Sequence, residues 1–215
     1  MRDQEIRKEW ITIEQEYLPL ELPELAGGVN VGDQRALYYL VRAFAPTKIL
    51  EVGTHIGCST VSIALAAREL RRLRPELQTR VVTVDIKDTN DPALGAWREK
   101  GAKYSPLEMV QQVGCADFVR FVACPSQSFF QESTARDYDF IFLDGDHAAS
   151  AVYQDIPAAL LRLKPGGVVV VHDFVPQLKR LWPSQKVIPG IYLALERFQR
   201  EKAPFKVIPL GVLPW

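Results

Sequence analysis

The sequence is short of cysteine, of excess charge and of long apolar runs, and each shortage excludes a class of protein. Cys58, Cys115 and Cys124 form an odd set without zinc-type spacing, which indicates reduced thiols inside a cell. Lysines plus arginines equal aspartates plus glutamates, 26 of each, so no polyanion-binding surface is indicated. No run approaches the roughly 18 apolar residues that a membrane-spanning helix needs.

The remaining charge pattern is that of an ordinary protein surface. The one dense basic run, residues 68–76, falls where a helix is expected to end, and positive charge there complements the helix dipole. The first ten residues are charged and lack the apolar segment of a secretory signal. We therefore expect a cytoplasmic protein that binds neither nucleic acid nor membranes.

Residues 1–32 are predicted to form a helical extension or lid, followed by one domain over residues 33–215. The extension has a polar helical pattern around Trp10 and Tyr17 and ends in a connector broken by proline and glycine. Asp33 is placed to cap the next helix, whose apolar residues recur at helical spacing up to Phe44.

Five apolar runs predict buried strands, and helical patterns separate them. The runs are KILEV (48–52), RVVTVD (80–85), VRFVAC (119–124), YDFIFLD (138–144) and GVVVVHD (167–173). They are almost continuously apolar, as in a parallel sheet covered by helices on both faces. LKPGG (163–167) predicts a helix end, and FKVIPL (205–210) predicts a last strand. The fold class is therefore α/β and doubly wound.

Acidic residues mark the carboxyl ends of four of these strands, where ligands bind in open parallel sheets. They are Glu51, Asp85, the pair Asp144 and Asp146, and Asp173. Clustered like charges cost free energy unless a cation or a ligand pairs with them. The row of acids therefore predicts a ligand site at this edge.

The residues that follow the first strand indicate which kind of ligand binds there. Gly53 and Gly57 allow the backbone to approach a ligand at the start of a helix. Their Gly-x-x-x-Gly spacing is not the dinucleotide fingerprint, and Glu51 would repel a pyrophosphate. Asp85 can accept hydrogen bonds from ribose hydroxyls. A nucleoside with an amino-acid tail satisfies both requirements.

Four segments together resemble the successive motifs of class I S-adenosylmethionine-dependent methyltransferases. They are ILEVGTHIGCST, VVTVDIK, DFIFLDGDH and LKPGGVVVVHDF. The likeness is to small-molecule O-methyltransferases of the catechol O-methyltransferase type and the related group with an Asp-Gly-Asp-His stretch. It covers residues 33–175 and implies a Rossmann-like, mostly parallel sheet of seven strands.

The resemblance implies S-adenosylmethionine as cofactor and assigns its contacts. Glu51 and Gly53 are expected at the methionine end, and Ser59 at the carboxylate. Asp85 is expected at the ribose, Ile86 against the adenine, and Ser126 and Gln127 at the edge of the adenine. The full set of implied cofactor contacts is Glu51, Gly53, Thr54, Gly57, Ser59, Asp85, Ile86, Ser126, Gln127 and Asp144.

The resemblance also implies a divalent cation and a general base. Asp144, His172 and Asp173 take the positions of the metal ligands, and His147 takes that of the base that deprotonates the acceptor hydroxyl. The first of the paired positions is usually acidic in metal-dependent relatives, and here it is His172. Because Mg²⁺ prefers oxygen ligands, this histidine favours a softer ion or leaves only two carboxylates.

Structural interpretations of the same residues stay open at this point. Aspartate is common in turns, and we favour a role in a turn for Asp146. His172 also suits a core histidine, His147 also suits a helix cap, and Ser126 and Gln127 also suit a loop.

The sequence therefore predicts O-methylation of a small-molecule hydroxyl, with Mg²⁺ or another divalent cation. Three rivals stay open: a metal-independent methyltransferase with His147 as base, a hydroxylase-like metalloenzyme, and an idle binding module. Aromatic residues are expected to form the substrate walls; they are Trp10, Tyr17, Trp97, Tyr104 and Trp182. They equally suit lid packing or a contact between the subunits of a homodimer.

Overall fold

Five parallel strands form one sheet in this computed structural model, which describes residues 3–23, 28–132, 135–175 and 187–210. The strands are β1 (Lys48–Val52), β2 (Arg80–Asp85), β3 (Val119–Ala123), β4 (Tyr138–Leu143) and β5 (Leu163–Val171). Their order in the sheet is β3-β2-β1-β4-β5. The chain therefore leaves β1 in one direction toward β3 and then returns to the other side, as in a doubly wound fold.

The predicted strands are confirmed, but the predicted number of strands is wrong for the described residues. The expectation was seven, and five are present. Residues 205–210 have no strand, although their apolar pattern resembles one. The helix end predicted at residues 163–167 is confirmed, because a helix ends at Arg162, but these residues also begin β5. A register irregularity opposite Tyr138 and Phe140 accommodates their proline and glycines.

Helices cover both faces of the sheet. They are α1 (Asp3–Tyr17), α2 (Val31–Phe44), α3 (Cys58–Leu73), α4 (Ala96–Glu99), α5 (Pro106–Gln112), α6 (Ser126–Gln131), α7 (Ala149–Arg162) and α8 (Gly190–Arg200). Short 3₁₀ turns occupy Leu18–Leu20, Pro75–Leu77 and Ala116–Phe118. Among the described residues, no helix combines the length and the apolar character that crossing a membrane requires.

The core is divided into two layers because side chains alternate between the faces of each strand. Ile49 packs with α1, α2, α3 and α5, whereas Leu50 packs with α6, α7 and α8. Glu51 shares the face of Ile49 by this alternation, and its side chain is therefore directed toward α3.

Asn30, and not Asp33, caps α2. The Asn30 Oδ1 atom accepts hydrogen bonds from the amides of Gly32 and Asp33, at 2.9 and 3.0 Å. Asp33 lies in the first turn, which leaves its carboxylate available for a contact with His172. The predicted boundary at residue 33 stays a prediction.

The predicted N-terminal helix is confirmed as α1, and it packs against α2 and α3. Trp10 and Ile13 are buried in the core layer on the α3 face. The Tyr17 hydroxyl donates to Ser62 Oγ at 2.7 Å, and Tyr38 donates to Glu9 at 2.7 Å. α1 is therefore a part of the packed core.

The point where strand order reverses lies between β1 and β4. Gly53, just past β1, has a φ of +98°, and a Cβ atom there would lie 2.1 Å from the carbonyl oxygen of Asp144. A side chain at position 53 is excluded by this backbone. Glycine is required at position 53 because the end of β4 lies so close. The absence of a side chain there allows the ends of β1 and β4 to stay in contact.

Candidate functional site

A cavity of about 580 Å³ opens at the carboxyl ends of β1, β2 and β4. Nine of the residues predicted from the sequence line it: Gly53, Thr54, Ser59, Asp85, Ile86, Ser126, Gln127, Asp144 and His147. Glu51, Gly57, His172 and Asp173 do not belong to its lining. The structure therefore brings together most of the predicted cofactor contacts in one space.

Apart from its histidines, the charged side chains of this lining are acidic. Its carboxylates are those of Asp85, Asp144, Asp146 and Asp155. Among the residues that the structure describes, no lysine or arginine lines the cavity. A ligand with a positive centre fits this lining, and a pyrophosphate does not.

Asp85 holds its place through two backbone amides. Its Oδ2 atom accepts from the amide of His55 at 2.9 Å, and its Oδ1 atom accepts from that of Lys87 at 3.2 Å. These bonds fix the carboxylate at the strand end, with lone pairs left for hydroxyl donors. Beside it, the Ile86 side chain is 70% exposed, which offers an apolar surface to a flat ring.

Glu51 is fully buried beneath the cavity. Thr60 donates to its Oε2 atom at 2.5 Å, and its Oε1 atom has no hydrogen-bond partner. Burial raises the pKa of Glu51 to about 7, against the hydrogen bonds from neighbouring hydroxyls. Its contact is with the first turn of α3, so the predicted role at the methionine end stays a prediction.

Gly57 acts at the start of α3. It has a φ of +87°, and a Cβ atom there would lie 2.8 Å from the Met109 side chain and 2.9 Å from Pro106. The glycine therefore permits both the left-handed turn and the close packing of α5. It shapes the corner from outside the cavity lining.

Ser126 and Gln127 open α6 and share one acceptor. Ser126 Oγ donates to Asp155 Oδ1 at 2.8 Å, and Gln127 Nε2 donates to the same oxygen at 2.6 Å. Asp155 comes from α7 and is buried. Burial raises the pKa of its carboxyl group, and the two hydrogen bonds oppose that shift.

Two aspartates and a histidine converge at the ends of β4 and β5. His147 Nε2 lies 3.3 Å from Asp144 Oδ1 and 3.3 Å from Asp173 Oδ2. The ligand atoms of these three side chains lie within 4.8 Å of one another. His147 does not cap α7, because the N-cap residue is Ala148. The hydrogen bond with Asp144 raises the pKa of His147, and Asp173 contributes to the same shift.

His172, which the resemblance places among the metal ligands, lies next to this group and does not belong to it, so its role as a ligand stays a prediction. Its Nε2 atom donates to Asp33 Oδ2 at 3.1 Å. Its Nδ1 atom lies 3.2 Å from Asp144 Oδ1 and 3.4 Å from Asp173 Oδ1. Burial lowers the pKa of His172, but the surrounding carboxylates outweigh it and raise that pKa. Burial raises the pKa of Asp144, but its contacts with His147 and His172 outweigh burial and lower that pKa.

Asp146 behaves as a turn residue. Its Oδ1 atom accepts from the amide of Ala148 at 2.8 Å, which orders the loop between β4 and α7. The side chain is exposed and still borders the cavity.

The described residues among the predicted aromatic walls do not line this cavity, and their role at a substrate stays a prediction. Trp10 and Trp97 are buried, and none of Trp10, Tyr17, Trp97 and Tyr104 lines the cavity. Trp182 lies outside the described residues.

Among the cavity residues that sequence reasoning missed are His55 and Asp155. His55 has a φ of +48°, and its amide holds Asp85. Asp155 interrupts the apolar stripe of α7 formed by Val152, Ile156 and Ala159. An acid within a buried helical stripe is a signal that the sequence carries, because buried carboxylates require partners.

The fold and the cavity define a doubly wound α/β protein with a ligand site at its topological switch point. A family model described as "Methyltransferase domain" matches residues 50–174. The chain belongs to this methyltransferase family.

Two curated relatives agree with this assignment. A probable O-methyltransferase of Mycobacterium tuberculosis is 31% identical over 150 residues, which cover 67% of this chain and 58% of that protein. The caffeoyl-CoA O-methyltransferase of Populus kitakamiensis is 26% identical over 149 residues, which cover 67% of this chain and 54% of that protein. The chain thus spans between one half and three fifths of the length of these relatives.

Solved structures share the fold. An O-methyltransferase from Bacillus cereus in complex with SAH has a TM-score of 0.59 at 19% identity, covering 93% of this chain and 80% of that one. TomG from Streptomyces achromogenes, in complex with SAM, has a TM-score of 0.56 at 21% identity, covering 93% and 79%.

Proposed function

We propose that this protein is an S-adenosylmethionine-dependent methyltransferase that methylates a hydroxyl group of a small molecule. The observation that carries the proposal is the cavity at the switch point, whose charged side chains are acidic apart from histidine. A sulfonium centre is a cation, so its desolvation in this cavity is offset by the carboxylates around it. The family and the names of the relatives agree with this chemistry.

The residues present fit the cofactor at both of its ends. Asp85 would accept from the ribose hydroxyls, and the exposed face of Ile86 would cover the adenine. Ser59, in the first turn of α3, would hold the carboxylate near the positive end of the helix dipole. When bound, S-adenosylmethionine supplies a methyl group that is already reactive. The protein's contribution is to align the acceptor oxygen with it.

The residues present also fit a divalent cation. Asp144, His147 and Asp173 offer two carboxylates and one imidazole nitrogen, a donor set that suits Mn²⁺, Fe²⁺ or Zn²⁺ better than Mg²⁺. When bound, such an ion supplies a Lewis acid that lowers the pKa of an acceptor hydroxyl. His172 is held by its contact with Asp33, and its Nδ1 atom would orient the carboxylates of Asp144 and Asp173.

One observation also supports a metal-independent reaction. His147 lies between two carboxylates and borders the cavity, which is the arrangement of a histidine base oriented by acids. In that case His147 takes the hydroxyl proton directly, and Asp144 stabilises the resulting imidazolium.

Calorimetric titration with S-adenosylhomocysteine, followed by transfer of labelled methyl from S-adenosylmethionine to a panel of phenols and sugar hydroxyls, tests the proposal. Binding together with methylation of any hydroxyl supports it. Absence of binding overturns it. Turnover that survives a strong chelator selects the metal-independent reaction, and turnover restored by Mn²⁺ selects the metal-assisted one.

A further inference from the structure

The buried carboxylate of Asp155 is a part of the cavity that no step described so far uses. It is 7% exposed, lies on the apolar stripe of α7 and borders the cavity. A buried carboxylate is costly unless hydrogen bonds compensate it, and the donors here are Ser126 and Gln127. These are the two side chains expected at the edge of the adenine.

Asp155 fixes which atoms Ser126 and Gln127 present to a ligand. An ionised carboxylate only accepts hydrogen bonds, so it selects the amide nitrogen of Gln127 and leaves Oε1 on the opposite edge. The single hydroxyl hydrogen of Ser126 is likewise used on Asp155 Oδ1, so Oγ has only lone pairs left to offer. The atoms left for a ligand are thereby the acceptors Ser126 Oγ and Gln127 Oε1, together with the second hydrogen of the Gln127 amide.

The position of these acceptors corresponds to the base end of the cavity. The backbone amide of Cys124 donates to the carbonyl of Asp85 at 2.8 Å, so the strand end that leads to Ser126 lies beside Asp85 and Ile86. A base that covers Ile86 therefore turns one edge toward Ser126 and Gln127. Acceptors on the protein match an amino group on that edge and oppose an oxo group.

We propose that Asp155 is a positioning residue that sets the base specificity of this site, favouring a 6-aminopurine over a 6-oxopurine by orienting Ser126 and Gln127. The inference rests on the proposed function, because it requires a nucleoside cofactor in the cavity. Beyond the proposed function, the inference assigns to Asp155 the discrimination between adenine and hypoxanthine.

Calorimetric Kd values for S-adenosylhomocysteine and S-inosylhomocysteine test the inference as a ratio. For the wild-type protein we expect the adenosyl compound to bind at least about tenfold more tightly. In Asp155→Asn the side chain offers both a donor and an acceptor, so the Gln127 amide is free to turn, and the ratio should fall to within about threefold. If Asp155 had a purely structural role, Asp155→Asn would bind both compounds more weakly to the same extent, and the ratio of their Kd values would stay unchanged.

Two further variants keep the test decisive. Asp88→Asn removes an exposed carboxylate that lies outside the cavity lining and bonds to neither Ser126 nor Gln127, so its ratio should equal that of the wild type. Gln127→Met removes the amide while keeping the length of the side chain, and it should collapse the ratio even if Asp155→Asn fails to fold. Thermal unfolding without ligand identifies a variant that does not fold.

The outcomes separate this inference from the proposed function. If the wild-type protein binds neither compound, both are overturned. If it binds S-adenosylhomocysteine but does not discriminate, or if Asp155→Asn or Gln127→Met keeps the wild-type ratio, only the role of Asp155 is overturned.

Discussion

Glu51 shows how a buried charge makes stability depend on pH at the scale of one residue. Its carboxyl group has a pKa of about 7 in the folded protein, against 4.5 as its ordinary value, because burial disfavours the charged form. In the unfolded chain the Glu51 carboxyl group therefore ionises at a lower pH than in the folded protein. As a result, the free energy of unfolding falls as pH rises from 4.5 to 7. Above pH 7 the loss reaches up to about 3 kcal/mol.

Replacing Glu51 by Gln should remove this pH dependence. At pH 8 we expect Glu51→Gln to unfold at a higher temperature than the wild type, because no charge is then buried. At pH 4.5 the two proteins should unfold alike. Thermal unfolding of the ligand-free proteins measures both points. Glu99→Gln, at an exposed site, is the control and should follow the wild type; a Glu51→Gln variant less stable at pH 8 would contradict the account.

Asp85 gives a prediction about binding. Asp85→Asn removes one acceptor and the negative charge while it can keep one of the two backbone contacts. We expect the Kd for S-adenosylhomocysteine to rise at least about tenfold, because a ribose hydroxyl loses a charged acceptor. Calorimetry measures the effect. Asp88→Asn, three residues away, exposed and outside the cavity lining, should leave the Kd unchanged, and an equally unaffected Asp85→Asn would remove the ribose assignment.

α1 is the element whose role the structure decides most clearly. Its Trp10 packs against Tyr38 in an edge-on contact, with ring centroids 5.9 Å apart, and is buried. Trp10→Ala should therefore lower the free energy of unfolding by about 3 to 5 kcal/mol. Denaturant unfolding measures this loss. Ile11, next to it and 57% exposed, supplies the control: Ile11→Ala should cost far less. Equal effects of the two substitutions would mean that α1 does not belong to the core.

The elements could be predicted unevenly from the sequence. KILEV and RVVTVD coincide with β1 and β2, because central strands of a parallel sheet are apolar on both faces. FKVIPL has a similar composition and forms no strand, because apolar pattern alone does not provide a pairing partner. The start of β5 at Leu163 was also missed, since proline and glycines usually end an element and here a register irregularity absorbs them.

At the scale of the whole molecule, binding at the cluster of Asp144, His147 and Asp173 should stabilise the folded chain. An ion present at about one hundred times its Kd adds about 2.7 kcal/mol to the free energy of unfolding. We expect Mn²⁺ to raise the unfolding temperature of the chelator-treated wild-type protein. Asp173→Asn should lose most of this rise, whereas the exposed Asp117→Asn should keep it. No rise in the wild type would favour the metal-independent reaction.

The candidate site could be predicted from the sequence wherever a residue lies at the carboxyl end of a strand or directly after it. Parallel strands bring their carboxyl ends to one edge, so Asp85 and Asp144 meet in one cavity as expected. The direction of a side chain was harder to predict. Glu51 lies within β1, and alternation directs it into the core. The contacts of Asp155 with Ser126 and Gln127 join two helices, and no local spacing reveals such a pair.

The one-sided charge of the cavity bears on how a reaction cycle would end. A methyl donor arrives with a positive sulfur, whereas the thioether that remains after transfer is neutral at that atom. The carboxylates of the lining, Asp144 among them, would therefore attract the fresh donor more strongly than its spent form. In the proposed reaction, this difference in charge would favour replacement of the spent form by a fresh donor.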